Sequence, residues 1–211
     1  MGKKEDKRIK GVLFDFDGTL TYPGAIDFPA IKRELRCPPD MAILEYLETI
    51  PPDEQAPLMA ILEAKENDAA RASLPNMGAE KVLSALKEKG LPVGIITRNS
   101  MQSVCVALEK FSQTTVQDFA AVITREKSLP KPHPDGVYQA AERMGISPSE
   151  LMVVGDFRFD VLAGKAAGAI TVLLQNSDKS VMAAGDPQPD YTVNHLQEIL
   201  AIIDALTATV L

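Results

Sequence analysis

Two carboxylates, Asp15 and Asp17, stand two residues apart in Phe14-Asp15-Phe16-Asp17-Gly18-Thr19-Leu20, directly after the apolar run Gly11-Val12-Leu13. A strand that runs into a glycine turn delivers both acids at its tip. Carboxylates so paired repel unless their charge is compensated, and a hard divalent cation held by oxygen ligands is the usual compensation. The pair can also divide labour, one acid as ionised nucleophile and the other as proton carrier. A strand that merely ends in an Asp-Gly turn is the plainer alternative. Gly18 suits a tight turn, and Thr19 is placed to cap it or to brace Asp15.

Three more segments carry chemistry. They are Ile95-Ile96-Thr97-Arg98-Asn99, Leu129-Pro130-Lys131-Pro132-His133-Pro134 and Gly155-Asp156-Phe157-Arg158-Phe159-Asp160. Each lies at or just beyond the end of an apolar run. Ligands of open parallel sheets bind beyond the carboxyl ends of the strands. A hydroxyl, a lysine framed by two prolines and further carboxylates therefore converge with Asp15 and Asp17 on one edge. Taken singly, a Thr at a strand end is structural and a lysine is solvated; the set of four gives the pattern its meaning.

The elements that must position these residues are legible. Strands are expected at Val12–Phe16, Val93–Thr97, Phe119–Ile123, Met152–Gly155 and Ile170–Leu174, with a weaker one at Tyr191–Val193. Helices alternate with them at Ala79–Lys89, Ser100–Phe111, Asp135–Met144, Asp160–Ala167 and His195–Leu206; the second starts at an N-cap, Asn99 or Ser100, and the first, third and fourth stop at Gly90, Gly145 and Gly168. Ser147-Pro148-Ser149-Glu150 has capping-box spacing and reads as one helical turn. This alternation predicts an α/β fold, a doubly wound parallel sheet with helices on both faces.

One segment breaks the pattern. From Thr21 to about Pro75 there is no strand signal, only helical stretches near Asp27–Arg36, Asp40–Thr49 and Asp53–Ala72 separated by Cys37-Pro38-Pro39 and Ile50-Pro51-Pro52. Ile43, Leu44, Leu47, Ile50, Leu58, Ile61 and Leu62 recur at three- and four-residue steps. The segment reads as a small helical insertion over the end of the first strand, joined to the core by Tyr22-Pro23-Gly24 and Leu74-Pro75-Asn76. The implied division is a core of residues 1–20 and 76–211 and an insertion of residues 21–75. Glu63, Glu66 and Arg71 read as a solvated helix face.

The 211 residues suffice for a large core, and 45% hydrophobic with 24% charged residues is ordinary globular composition. A formal charge of -7 argues against a general nucleic-acid binder. Cys37 and Cys105 lack metal-type spacing and suit a reduced, cytoplasmic setting. Residues Met1 to Lys10 are Lys-rich without an apolar stretch, unlike a secretory signal, and no run is long enough to span a bilayer.

The four segments together resemble the signature of the haloacid dehalogenase superfamily: Asp-x-Asp-Gly-Thr, then Ser or Thr after a hydrophobic strand, then Lys before a helix, then Gly-Asp-x-x-x-Asp. The resemblance covers about Lys10–Leu20 and Met77–Leu174. It is nearest the phosphoglycolate phosphatase-like branch, which carries its helical cap after the first motif. It implies a Rossmann-like core and a Mg2+-dependent phosphatase acting on a small phosphorylated metabolite through an aspartyl phosphate. Asp15 would be the nucleophile, Asp17 the general acid and base with its backbone carbonyl on the metal, Thr97 a phosphoryl donor, Lys131 the charge neutraliser and Asp156 the metal ligand beside Asp15. Asp160 would hold a metal-bound water or Lys131, or simply favour a helix N-terminus. Arg98 and Asn99 have two readings: substrate contacts, or a solvated charge and a helix cap. His133 and His195 read as structural or peripheral.

Relatives with other chemistry remain as alternatives. Asp17 argues against a dehalogenase. A phosphonatase would need a catalytic amine from the insertion, where Lys65 is available. A phosphosugar mutase would share Asp15, Asp17 and the metal, and Thr21-Tyr22-Pro23-Gly24 departs from the Asp-Ser continuation of many relatives. A noncatalytic phosphate-binding signalling protein is a further class, though its acceptor Asp would follow a later strand. A monomer or a homodimer is expected, with no nucleic-acid or membrane partner.

Overall fold

The computed structural model describes residues 9–177 and 179–208. The basic start, Met1 to Arg8, lies outside the described residues. Six parallel strands form one sheet in the order β3-β2-β1-β4-β5-β6. They are β1 (Gly11–Phe14), β2 (Val93–Ile96), β3 (Ala121–Ile123), β4 (Leu151–Gly155), β5 (Ile170–Leu174) and β6 (Tyr191–Val193). The fold is the expected α/β architecture, including the weakly signalled sixth strand. β1 stops at Phe14, two residues short of the sequence reading, because Phe16–Leu20 coils into a tight helical turn.

Alternation along the strands explains the two helical layers. Val12 and Phe14 face one apolar cluster with Val93, Ile95, Met152 and Val154, covered by α4 (Ala79–Glu88), α5 (Met101–Leu108) and α8 (Glu198–Ala208). Leu13 faces the other with Ile123, Leu151 and Val153, under α6 (Asp135–Met144) and α7 (Arg158–Ala167). Strands buried on both faces read as near-continuous apolar runs, and β1 and β4 do; β5 carries one buried polar residue, Thr171, whose hydroxyl donates to Asp190 at 3.0 Å. Fully burying each large aliphatic side chain contributes about 1.5–3 kcal/mol.

Between the first strand and α4 lie α1 (Phe28–Leu35), α2 (Ile43–Glu48) and α3 (Pro52–Ala72). Asp27 caps α1 by accepting from the Ala30 N–H at 2.9 Å, an interaction of about 1 kcal/mol. The three helices bury their own cluster, including Ile31, Leu35, Ile43, Leu44, Leu47 and Leu62. The chain entering and leaving them runs side by side: Thr21 bridges Pro75, and the Tyr22 N–H donates to the Leu74 carbonyl at 2.8 Å. Helix α3 reaches furthest into the rest of the molecule, packing along α5.

The strand order places β2 and β4 on either side of β1. Chain direction across the sheet reverses there, so the crevice for a ligand opens at the tips of β1 and β4. Register aligns Phe14 with Ile95 and Val154. The residues just beyond, Asp15, Thr97 and Asp156, therefore emerge together.

Candidate active site

Lys131 is the hub of the site. Its side chain is buried, and its ammonium donates to Asp15 Oδ1 at 2.5 Å, to Asp160 Oδ1 at 2.6 Å and to the Ile96 carbonyl at 3.0 Å. Burial alone would favour the neutral amine. The two carboxylates outweigh it and hold the lysine above its ordinary range. The cation has no freedom to wander, because all three of its N–H donors are engaged.

Asp15, Asp156 and Asp160 each present a carboxylate oxygen within 4.8 Å of the others. Burial, then the Asp160 charge, raises Asp15 well above the usual carboxylate range, against the pull of Lys131. Burial, again with Asp160, pushes Asp156 up to about 7. Ionising all three acids against one ammonium would leave an excess of two negative charges. All the donors are hard oxygens, and Asp156 Oδ1 accepts no hydrogen bond from the described residues. This set fits a divalent cation such as Mg2+, which takes one or two carboxylates and keeps much of its water. Asp160 is different: Lys131 occupies one of its oxygens and the Phe157 N–H, at 3.0 Å, the other. It holds Lys131 and lies in the first turn of α7.

Gly18 shapes the bend between the two acids. Its φ is +78°, and a Cβ there would stand 2.2 Å from Asp156 Oδ2. Only glycine brings the turn this close to the tip of β4. Gly155 serves the opposite side, since a Cβ on it would lie 2.1 Å from Asp160 Cγ. Thr19 departs from its expected part. Its hydroxyl is buried without a hydrogen-bond partner among the described residues, so it neither caps the turn nor braces Asp15. The turn is held instead by two asparagines. Asn176 Nδ2 donates to the Gly18 carbonyl at 2.7 Å and to Asp156 Oδ2 at 2.9 Å, while Asn76 Nδ2 reaches the Thr19 carbonyl at 2.9 Å.

Asn176 was missed in the sequence reading. It lies two residues past β5, and the rule that ligands gather beyond strand ends would have marked it.

Asp17 lies half-buried beside the β2 tip. Burial pushes it up to about 6, against the Asn99 side-chain amide, which donates to Asp17 Oδ2 at 2.5 Å, and against the Lys131 charge. A carboxyl group near 6 exchanges protons readily around neutrality. Asn99 is thus no helix cap; Ser100 caps α5, accepting from the Ser103 N–H. The Asn99 backbone N–H donates to Thr97 Oγ1 at 3.1 Å. That leaves the buried Thr97 hydroxyl proton free to donate elsewhere.

Arg98 is not a solvated charge. Its side chain is mostly buried, pairs bidentately with Glu45 of α2 at 2.8 and 2.5 Å, donates to the Lys131 carbonyl and lies 5.0 Å over the Phe159 ring.

Glu66 is a clear correction. On the expected solvated face of α3, it is instead only 5% exposed and bound by Arg125 through both oxygens at 2.7 Å. Burial raises it to about 7, opposed by Arg125 and reinforced by Asp17. A helix whose polar residues meet buried arginines of the core looks the same in sequence as one facing water. Glu63 and Arg71 are exposed, as expected. Lys65 pairs with Glu34 at 2.9 Å on the insertion's own surface. His133 and His195 are exposed, and the His133 ring accepts from the Asp135 N–H. No helix among the described residues is long and apolar enough to cross a membrane.

Comparison with known proteins gives a consistent picture. A family model described as haloacid dehalogenase-like hydrolase matches residues 9–168. An uncharacterized hydrolase of Saccharomyces cerevisiae is 31% identical over 200 residues, 93% of this chain and 92% of that protein. Phosphoglycolate phosphatase of Escherichia coli is 28% identical, covering 95% of this chain and 94% of its own. The crystal structure of a hydrolase from Pseudomonas syringae superposes with a TM-score of 0.75 at 20% identity, covering 93% of this chain and 98% of its own.

Proposed function

This chain belongs to the haloacid dehalogenase-like hydrolase family, and we propose that it is a Mg2+-dependent phosphatase that hydrolyses a small phosphorylated metabolite through an aspartyl phosphate on Asp15. The observation that carries this reading is the convergence of Asp15, Asp156, Asp160 and Lys131 from three separate segments on one strand edge.

Asp15 Oδ2 accepts no protein hydrogen bond among the described residues and is the oxygen offered to phosphorus, while Lys131 holds Oδ1. Attack forms the Asp15 O–P bond and breaks the bond from phosphorus to the leaving oxygen. Asp17, near 6, supplies the proton that oxygen takes. In the second half a water oxygen attacks phosphorus, Asp17 receives the water proton, and the Asp15 O–P bond breaks, which releases inorganic phosphate and restores the Asp15 carboxylate. Thr97 supplies a donor, and Lys131 positive charge, to the phosphoryl oxygens. Asp15, Asp156 and the Asp17 backbone carbonyl would hold Mg2+, whose charge, when bound, offsets that of the phosphoryl group and the clustered acids.

The three insertion helices serve in this reading as a cap that shields the site from water. Residues 21–75 are that cap, and residues 1–20 with 76–211 the core. Arg98, reached by Glu45 from the cap, faces the leaving group. A reducing, cytoplasmic setting accords with two free cysteines, and the enzyme is proposed to act as a monomer or homodimer.

The test is phosphate release from p-nitrophenyl phosphate and from a panel of phosphorylated metabolites with Mg2+. Release that disappears in Asp15→Asn and on chelation supports the reading; release that persists undiminished in either overturns it. Interconversion of sugar phosphates without net release would indicate a mutase. Stable labelling from a small phosphodonor without turnover would indicate a signalling protein.

A further inference from the structure

Arg125 touches none of the acids at the strand tips, yet its surroundings are unusual. It follows β3 by two residues and its side chain is 8% exposed. One guanidinium nitrogen meets both oxygens of Glu66 at 2.7 Å and the Arg98 carbonyl at 3.2 Å; the other lies 3.5 Å from Glu63. Its own backbone N–H donates to the Asn99 carbonyl at 3.3 Å. The turn that carries Asn99 is therefore gripped at two successive carbonyls by one residue.

From the front, the same turn is fixed by the Asn99 N–H on Thr97 Oγ1 and by the Asn99 amide on Asp17. The amide is at the end of a short lever whose fulcrum is this turn. Removing the side-chain grip on the Arg98 carbonyl loosens the lever without touching Asp17 or Asn99 side-chain chemistry, while the Arg125 backbone N–H stays on the Asn99 carbonyl.

We propose that Arg125 is a positioning residue, which holds the Asn99 side-chain amide on Asp17, and that Glu66 of α3 fixes where Arg125 lies. A buried ion pair is a poor source of stability, because desolvation offsets its attraction and an apolar pair of like volume often does as well. What such a pair does supply is direction: one guanidinium nitrogen held by both Glu66 oxygens and by the Arg98 carbonyl, with the other beside Glu63, fixes how the planar group lies. Glu66 comes from the insertion, Arg125 and Asn99 from the sheet edge. The proton carrier is thereby placed by an element outside the sheet. In the hydrolase reading, on which the kinetic consequence rests, Asp17 must meet the leaving oxygen, and a small misplacement there is felt most by substrates that need the proton most.

The experiment uses the full chain and three variants, Arg125→Met, Arg125→Lys and Glu66→Gln. The first readout is independent of turnover. The Asn99 side-chain amide is followed in a 15N spectrum, assigned by its loss in Asn99→Ser. It is expected to shift in Arg125→Met and to return toward the wild-type position in Arg125→Lys, which keeps a charge on Glu66. An unmoved amide in Arg125→Met overturns the proposal. The second readout is the ratio of kcat/KM for a primary-alkyl phosphate to that for p-nitrophenyl phosphate, whose leaving group needs little protonation. The ratio is expected to fall about 10- to 100-fold in Arg125→Met and less in Glu66→Gln, which retains an acceptor for Arg125. A merely structural role lowers both rates together and leaves the ratio unchanged, which also overturns it. If Arg125→Met does not fold, Glu66→Gln carries both readouts, and an unmoved amide or an unchanged ratio in it overturns the proposal. If the wild type cleaves neither ester while the amide still moves, the hydrolase reading fails and the positioning contact stands.

Discussion

Lys131 donates to Asp15 at 2.5 Å across 116 residues of chain. The contact exists because β1 and the loop before α6 meet at one edge of the sheet, and it sets the charge on the proposed nucleophile. Substituting Lys131→Met leaves Asp15 and Asp160 facing each other without a cation. Turnover of p-nitrophenyl phosphate is expected to fall about 10²–10³-fold in kcat. Equilibrium unfolding in urea is expected to show a loss of about 3–5 kcal/mol, the cost of stranding one member of a buried pair.

Stability should depend on pH in a direction opposite to that of most carboxylates. Burial raises Asp17 to about 6 and Asp156 to about 7, from an ordinary 3.8. Between about pH 4 and 7 these sites hold more protons in the folded chain than in the unfolded one. Their contribution to stability is therefore lost as pH rises through that window. In chelator, Asp156→Asn should melt above the wild type at pH 8, and the gap should close toward pH 4. A gap that is constant with pH contradicts this.

Adding Mg2+ supplies the missing positive charge. Wild-type protein at pH 8 is expected to gain about 2.7 kcal/mol at a Mg2+ concentration of 100 times Kd. Asp156→Asn and Asp15→Asn should gain much less, measured by the shift in thermal midpoint. Equal gains in all three would place the ion elsewhere.

Gly18→Ala tests the turn. The positive φ and the 2.2 Å approach to Asp156 both oppose a side chain. Stability is expected to fall by about 1–3 kcal/mol, and the Mg2+-dependent rise in midpoint to shrink with it. A variant as stable as wild type, with an intact response to Mg2+, would show that the turn tolerates a wider approach.

Arg98→Ala separates substrate contact from stability. Its partner Glu45 is 37% exposed at the side chain, so the pair should contribute no more than about 1 kcal/mol to folding. In the proposed phosphatase, loss of a charged hydrogen bond to the leaving group raises KM about tenfold. Steady-state kinetics on the best metabolite of the panel, beside a urea titration, checks both.

Much of this was legible along the chain. The apolar runs ending in Asp15, Thr97 and Asp156 defined three strands and their tips, because a strand buried on both faces reads as a near-continuous apolar run and in these three the first polar residue marks the exit. Glycines at Gly90, Gly145 and Gly168 marked helix ends by the same local logic, and all three take up positive φ. Such features depend on a few neighbouring residues, so sequence alone determines them. The bond from Asn99 to Asp17, the second grip of Asn176 on Gly18 and the burial of Glu66 against Arg125 are of another kind. Each joins side chains that sequence leaves far apart, and each requires the direction in which two separately formed elements meet. Packing of α3 across α5 and alignment of β5 beside β4 decided those directions. A polar residue on a helix gives no local sign of whether water or a buried arginine will be its partner.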